Sequence, residues 1–208
     1  MRIIEKFNRQ FEYAGLLITI IIAFQFYRLW QYPQIDDGSK IATMSLLMAF
    51  EFIMVHSGVF MAVMPKKISL YFLFPFYLLF ALAFNFATED NSILILYLVA
   101  IFNRMRFAFA DVSKKIKEQN IFKSVLAALA YFVLIFPFAF GAEYVPVGGM
   151  QSEKMNAIGY PGDTGASGLF VEMPHVAISF GFAYHCILAI IEAFAMRANF
   201  GAPFIKHN

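Results

Sequence analysis

Apolar residues run through this chain in blocks separated by short polar stretches. Six blocks stand out, at roughly 12–31, 41–64, 67–87, 92–110, 121–140 and 174–196, each about the length a helix needs to cross ~30 Å of hydrocarbon. The pattern predicts an all-α polytopic integral membrane protein, a single domain over 1–208 built as a bundle of six transmembrane helices. Pro65 and the lysines of "MPKK" separate the second block from the third. Pro75 and Pro137 fall inside the third and fifth, where neighbouring helices can satisfy the carbonyls a proline frees.

The polar stretches alternate in sign. Arg2, Lys6 and Arg9 precede the first block, Lys66 and Lys67 follow the second, and Lys114, Lys115, Lys117 and Lys123 follow the fourth. Arg197 and Lys206 close the chain. The other connections read "DDGSK", "TEDNS" and a long segment with Glu143, Glu153, Asp163 and Glu172. Basic connections favour the cytoplasmic side, so both termini are expected to be cytoplasmic, in a bacterial inner membrane. The first block follows a basic start like a signal peptide, but "FQFYRLW" follows it instead of a small-residue cleavage site, which favours a retained helix. "KKIKEQNIFK" reads as a basic cytoplasmic loop lying on anionic headgroups.

Segment 141–173 holds seven glycines and two prolines. It is expected outside the cytoplasm, either as a lid over the bundle, as a loose loop, or as a contact surface for other membrane subunits.

Composition supports the membrane reading. Hydrophobic residues make up 61% of the chain and charged residues 14%, against about 25% charged in soluble domains. The basic residues flank apolar runs instead of forming one face, which argues against nucleic acid as a partner. The single cysteine, Cys186, excludes an intramolecular disulfide. "DTGAS" at 163–167 resembles the aspartic-protease signature, but that chemistry takes two such aspartates and only one copy is present.

Ionisable groups inside apolar helices are costly and point to function. At about 1.5 Å per residue, Glu51 lies near ~15 Å deep, His185 near ~16 Å, Asn103 at a similar level, and Arg104 and His56 deeper. Three helices thus bring polar groups to one mid-membrane layer. Glu192 lies further in, seven residues from His185 and on the same helix face. Glu51 and His56 are five apart, about 140° around a regular helix, and a π-bulge would bring them onto one face.

Three arrangements fit this layer. Glu51, His56 and His185 make a carboxylate and two imidazoles, a recurring ligand set for zinc or iron with an open position for substrate. His56 and His185 could instead be axial ligands of a haem. Alternatively Glu51 pairs with Arg104, His185 bonds Asn103 or a carbonyl, and the polar groups only join helices. In a functional site Arg104 would be the charge partner and Glu192 would carry protons toward the inside. A second set, Glu172 and His175, has the Glu-x-x-His spacing of di-iron bundles, although a carboxylate is also favourable at a helix N-terminus. The resulting function classes are a metal-binding membrane protein, redox or hydrolytic; a non-catalytic subunit of a membrane complex; and a small transporter or proton-relay component.

Overall fold

The computed structural model describes residues 7–86, 91, 94, 95, 98, 113–160 and 167–198. All regular structure among them is helical. We number the helices α1 Asn8–Gln31, α2 Gly38–Val63, α3 Lys66–Ile68, α4 Phe74–Asn85, α5 Lys114–Phe140, α6 Ser152–Ile158, α7 Leu169–Glu172 and α8 Pro174–Arg197. A π-helical turn, Ser69–Leu73, joins α3 to α4. Four helices, α1, α2, α5 and α8, are long and apolar enough to cross a membrane.

Three predicted segments match closely in position: 12–31 against α1, 41–64 against α2 and 174–196 against α8. Pro174 opens α8 at its first turn, where its missing N–H costs nothing. The third, 67–87, corresponds to a run of helix over Lys66–Asn85 that holds a π turn at Ser69–Leu73. The π turn ends two residues before Pro75, which lacks the N–H that a regular α-helix would use. The fourth, 92–110, lies outside the described residues apart from Leu94, Ile95 and Leu98.

The fifth segment needs a correction. "KKIKEQN" is not a loop but the first two turns of α5, which begins at Lys114 instead of 121. Lys114 pairs with Glu118 at 3.6 Å. Ile116 and Gln119 are buried, and Gln119 Nε2 donates to the Ala195 carbonyl of α8 at 3.0 Å. A stripe only two residues wide is enough to dock these turns, and mean hydropathy does not register it.

α8 makes its most extensive contact with α1 and also packs on α5 and α2. α2 is the other central helix. Met48 and Val55 join the cluster shared with Tyr131 of α5 and Ile178, Phe180 and Tyr184 of α8. Leu46, Phe50 and Met54 face the opposite way, onto Leu73, Tyr77 and Ala81. Lipid tails are as apolar as these side chains, so contact distance and interhelical hydrogen bonds hold such helices together. Gly181 allows one such close contact between α8 and α1. The Phe26 ring lies where a β-carbon would otherwise sit.

The described parts of segment 141–173, residues 141–160 and 167–173, fold as a cap over one end of the bundle. Met150, Met155 and Tyr160 are buried in the main core cluster. Trp30 Nε1 donates to the Pro146 carbonyl at 2.8 Å, and the Gly149 N–H donates to the Trp30 carbonyl at 2.9 Å. Gly148 has φ 61° and lies directly against Trp30, a conformation and a proximity that only glycine combines. α6 ends on Gly159 in the left-handed region, with the Tyr160 N–H returning to the Met155 carbonyl at 3.0 Å, a Schellman close.

Candidate functional site

The expected layer of polar groups is built around α8. His185 is 8% exposed, and its Nδ1 bonds the Gly181 carbonyl at 2.9 Å. A carbonyl only accepts, so Nδ1 carries the proton. Phe26 stacks on the imidazole at 5.2 Å and Tyr184 meets it edge-on at 5.3 Å. Tyr184 Oη donates to Glu51 Oε1 of α2 at 3.4 Å, well beyond the ~2.7 Å of a short hydroxyl bond. Tyr131 of α5 completes the group. Its ring meets Tyr184 at 5.3 Å, its Oη donates to the Met48 carbonyl at 2.6 Å, and it lies within range of the Glu51 charge. Glu51 is half-buried. The carboxylate therefore lies beside the Tyr184 phenol of α8 and within electrostatic range of the Tyr131 phenol of α5.

His56 does not join this group. Its Nδ1 bonds the Phe52 carbonyl of its own helix at 2.6 Å, and its ring lies 4.4 Å from the Phe52 ring. α2 is regular α-helix through both positions, so the ~140° divergence between Glu51 and His56 persists. The chain's π turn falls at Ser69–Leu73 instead. Among the described residues no three His, Cys, Asp or Glu side chains are grouped closely enough to hold a metal. The expected zinc or iron set of Glu51, His56 and His185 is therefore not assembled. The reason is helix rotation: shared depth does not give shared direction. Asn103 and Arg104 lie outside the described residues.

Glu192 forms a second polar contact, deeper along α8. Thr19 Oγ1 of α1 lies 3.3 Å from each Glu192 oxygen, and the Lys123 charge of α5 acts on the same carboxylate. The two α8 stations repeat in register. His185 meets Phe26 and Glu192 meets Thr19, so seven residues along α8 correspond to seven back along antiparallel α1. This is the two-turn repeat of helices packed nearly in line.

The Glu172/His175 pair is explained by capping. Glu172 Oε1 accepts the Gly168 N–H at 3.0 Å, which closes the start of α7 in the manner of a reach-back cap. His175 sits half-buried in the first turn of α8. The dipole reading expected the carboxylate to serve α8; in the structure it serves the short helix before it.

At the capped end, Arg28 bridges Asp37 at 2.6 Å, and Asp37 Oδ2 accepts the Gln34 N–H at 2.8 Å. Burial alone would raise the Asp37 carboxyl, but the bonds from Arg28 and Gln34 and the charges of Arg28 and Lys40 outweigh it and hold it below the usual value. Inside the cap, burial pushes the Tyr160 phenol up to about 12, with the neighbouring Ser45 hydroxyl pulling the other way. Tyr160 Oη donates to the Val171 carbonyl at 2.8 Å. Ser45 Oγ is fully buried and makes no well-aligned hydrogen bond among the described residues.

No protein-family model, curated protein or solved structure matches this chain. Function is therefore argued from the geometry of the layer itself.

Tyr184, Tyr131 and Thr19 are the groups that sequence reading did not single out. A signal existed for the two tyrosines. Tyr184 adjoins His185, and Tyr131 falls midway along the fifth apolar segment, so each is a phenol at the depth of the layer.

Proposed function

We propose that this chain is a proton-relay component or small proton-coupled transporter, with six membrane helices and both termini cytoplasmic in a bacterial inner membrane. Glu51 is the proton-exchanging group. Tyr184 is its hydroxyl neighbour, Tyr131 lies within range of its charge, His185 packs the α8 side of the layer, and Glu192 is the next station along α8. One observation carries this reading: the Glu51 carboxylate, on an otherwise apolar stretch, lies 3.4 Å from Tyr184 Oη of a second spanning helix. A carboxylate kept inside a bundle beside hydroxyl partners is the usual marker of a proton path.

The test is reconstitution in liposomes with an internal pH dye, driven by a potassium diffusion potential. Wild type should acidify or alkalinise the lumen according to the sign of the potential. Glu51→Gln should slow the flux by about 100-fold, the lower end of the contribution of a positioned acid–base group. Tyr184→Phe should leave an intermediate rate. A Glu51→Gln protein that moves protons at the wild-type rate, or a wild type that moves none, would sink the proposal.

A second reading, a non-catalytic subunit of a membrane complex, is favoured by the exposed aromatic ladder of α5. Phe132, Phe136 and Phe140 recur every four residues with rings 5.0 and 6.1 Å apart, all exposed. Stoichiometric copurification of another membrane protein, lost when these three become leucine, would select that reading.

A further inference from the structure

A cavity of about 570 Å³ opens at the end of the bundle opposite the cap, between the first turns of α1, the first turns of α5 and the last turn of α8. Its volume lies within the ~300–1,000 Å³ of small-molecule sites. Arg9, Lys115 and Arg197 line it, one from each helix, against a single carboxylate, Glu12. Glu12 is engaged by its own helix, accepting from Asn8 Nδ2 at 2.9 Å. Lys115 and Arg197 are exposed and have no ion pair among the described residues. The Gln119–Ala195 bond ties α5 to α8 along one wall.

Arg9 donates to Tyr13 Oη at 3.4 Å and feels the Glu12 charge, so three cations from three separate helices line the cavity against one carboxylate. The cavity also sits at the ends of three apolar helices, which on the membrane reading is the level of lipid headgroups, and Leu16 and Met196 add apolar surface to its wall. An anion with an attached apolar tail satisfies both features. Arginine forks suit phosphate oxygens in particular.

We infer that this cavity is a binding site for a phosphate group, supplied by the headgroup of an anionic phospholipid in the adjoining leaflet. The bound lipid would bridge α1, α5 and α8 at the end opposite the cap.

The test is native mass spectrometry of the full chain in detergent, titrated with phosphatidylglycerol or phosphatidylcholine. Phosphatidylglycerol should be retained preferentially. Each removed cation should weaken that retention by about fivefold, so Arg9→Gln/Arg197→Gln should lose about 25-fold. These side chains are exposed, and unchanged size-exclusion profiles would verify folding. Lys67→Gln, a lysine outside the cavity, should retain the lipid as wild type does and so separates a built site from general surface charge. Displacement of the lipid by inorganic phosphate would keep the phosphate site and reassign its source. Equal retention of the two lipids, or undiminished phosphatidylglycerol binding in the double variant, would overturn the inference.

Discussion

Gly181→Ala is the sharpest test of how the central helices meet. Gly181 lies on α8 under the ring of Phe26, which is fully buried. A β-carbon there would sit 2.6 Å from Phe26 Cδ1, 2.7 Å from Cζ and closer still to Cε1. The ring cannot swing aside freely, because its other contacts include the His185 imidazole, stacked at 5.2 Å. Relief requires α1 and α8 to separate, and overpacking of this kind costs about 1–3 kcal/mol. Replacing glycine by alanine within a helix returns up to about 1 kcal/mol, so the expected net loss is up to about 2 kcal/mol, and about 1–3 kcal/mol relative to a glycine-to-alanine change at an open helix position. Gly15→Ala is the internal control, since nothing lies within 4 Å of the β-carbon it would add to α1. That variant should be neutral or gain up to about 1 kcal/mol. Unfolding in sodium dodecyl sulfate, followed by tryptophan fluorescence of Trp30, would measure both. Adding Phe26→Leu to Gly181→Ala should recover at least about 1 kcal/mol relative to the sum of the single losses, the size of coupling expected for residues in contact. If Gly181→Ala matches Gly15→Ala in stability, or if Phe26→Leu gives no rescue, the packing argument is wrong.

Two further outcomes concern the capped end. The Asp37 carboxyl is held below its ordinary value in the folded state, so the unfolded chain binds more protons between the two values. Its stabilising contribution is complete above the unfolded value near pH 4 and is lost as pH falls through the folded one. Asp37→Asn should remove that acid dependence and cost about 1–3 kcal/mol at neutral pH, read as denaturation midpoints across pH 3–7. Gly38→Ala would place a β-carbon 2.8 Å from the Ile158 carbonyl oxygen. It should loosen α6 from α2 and speed proteolysis within 141–173 in reconstituted protein, while a cleavage rate equal to wild type would show that the cap does not depend on this contact.

Helix positions were largely readable along the chain. A spanning helix must bury its backbone bonds internally and face lipid for some twenty residues, so α1, α2 and α8 announce themselves as apolar runs, with Pro174 marking the start of α8. The first two turns of α5 escaped because their docking rests on Ile116 and Gln119 alone. The π turn at Ser69–Leu73 escaped because its cause is local: Pro75 removes one donor, and the preceding turn rearranges.

The candidate layer was readable in depth and not in direction. Depth follows from counting residues at a constant rise, which places Glu51 level with His185. Direction depends on how each helix is rotated about its own axis, and that is set by contacts with its neighbours. Phe26 over Gly181 and Thr19 against Glu192 lock α1 and α8 in register. Tyr131 on the Met48 carbonyl turns α2 so that Glu51 meets Tyr184 and His56 turns back on Phe52. The order of residues along the chain thus determines that it forms apolar helices and how far along each helix the polar groups lie. Only packing in three dimensions chooses which of those groups touch, because a rotation of 100° per residue separates side chains that depth alone would unite.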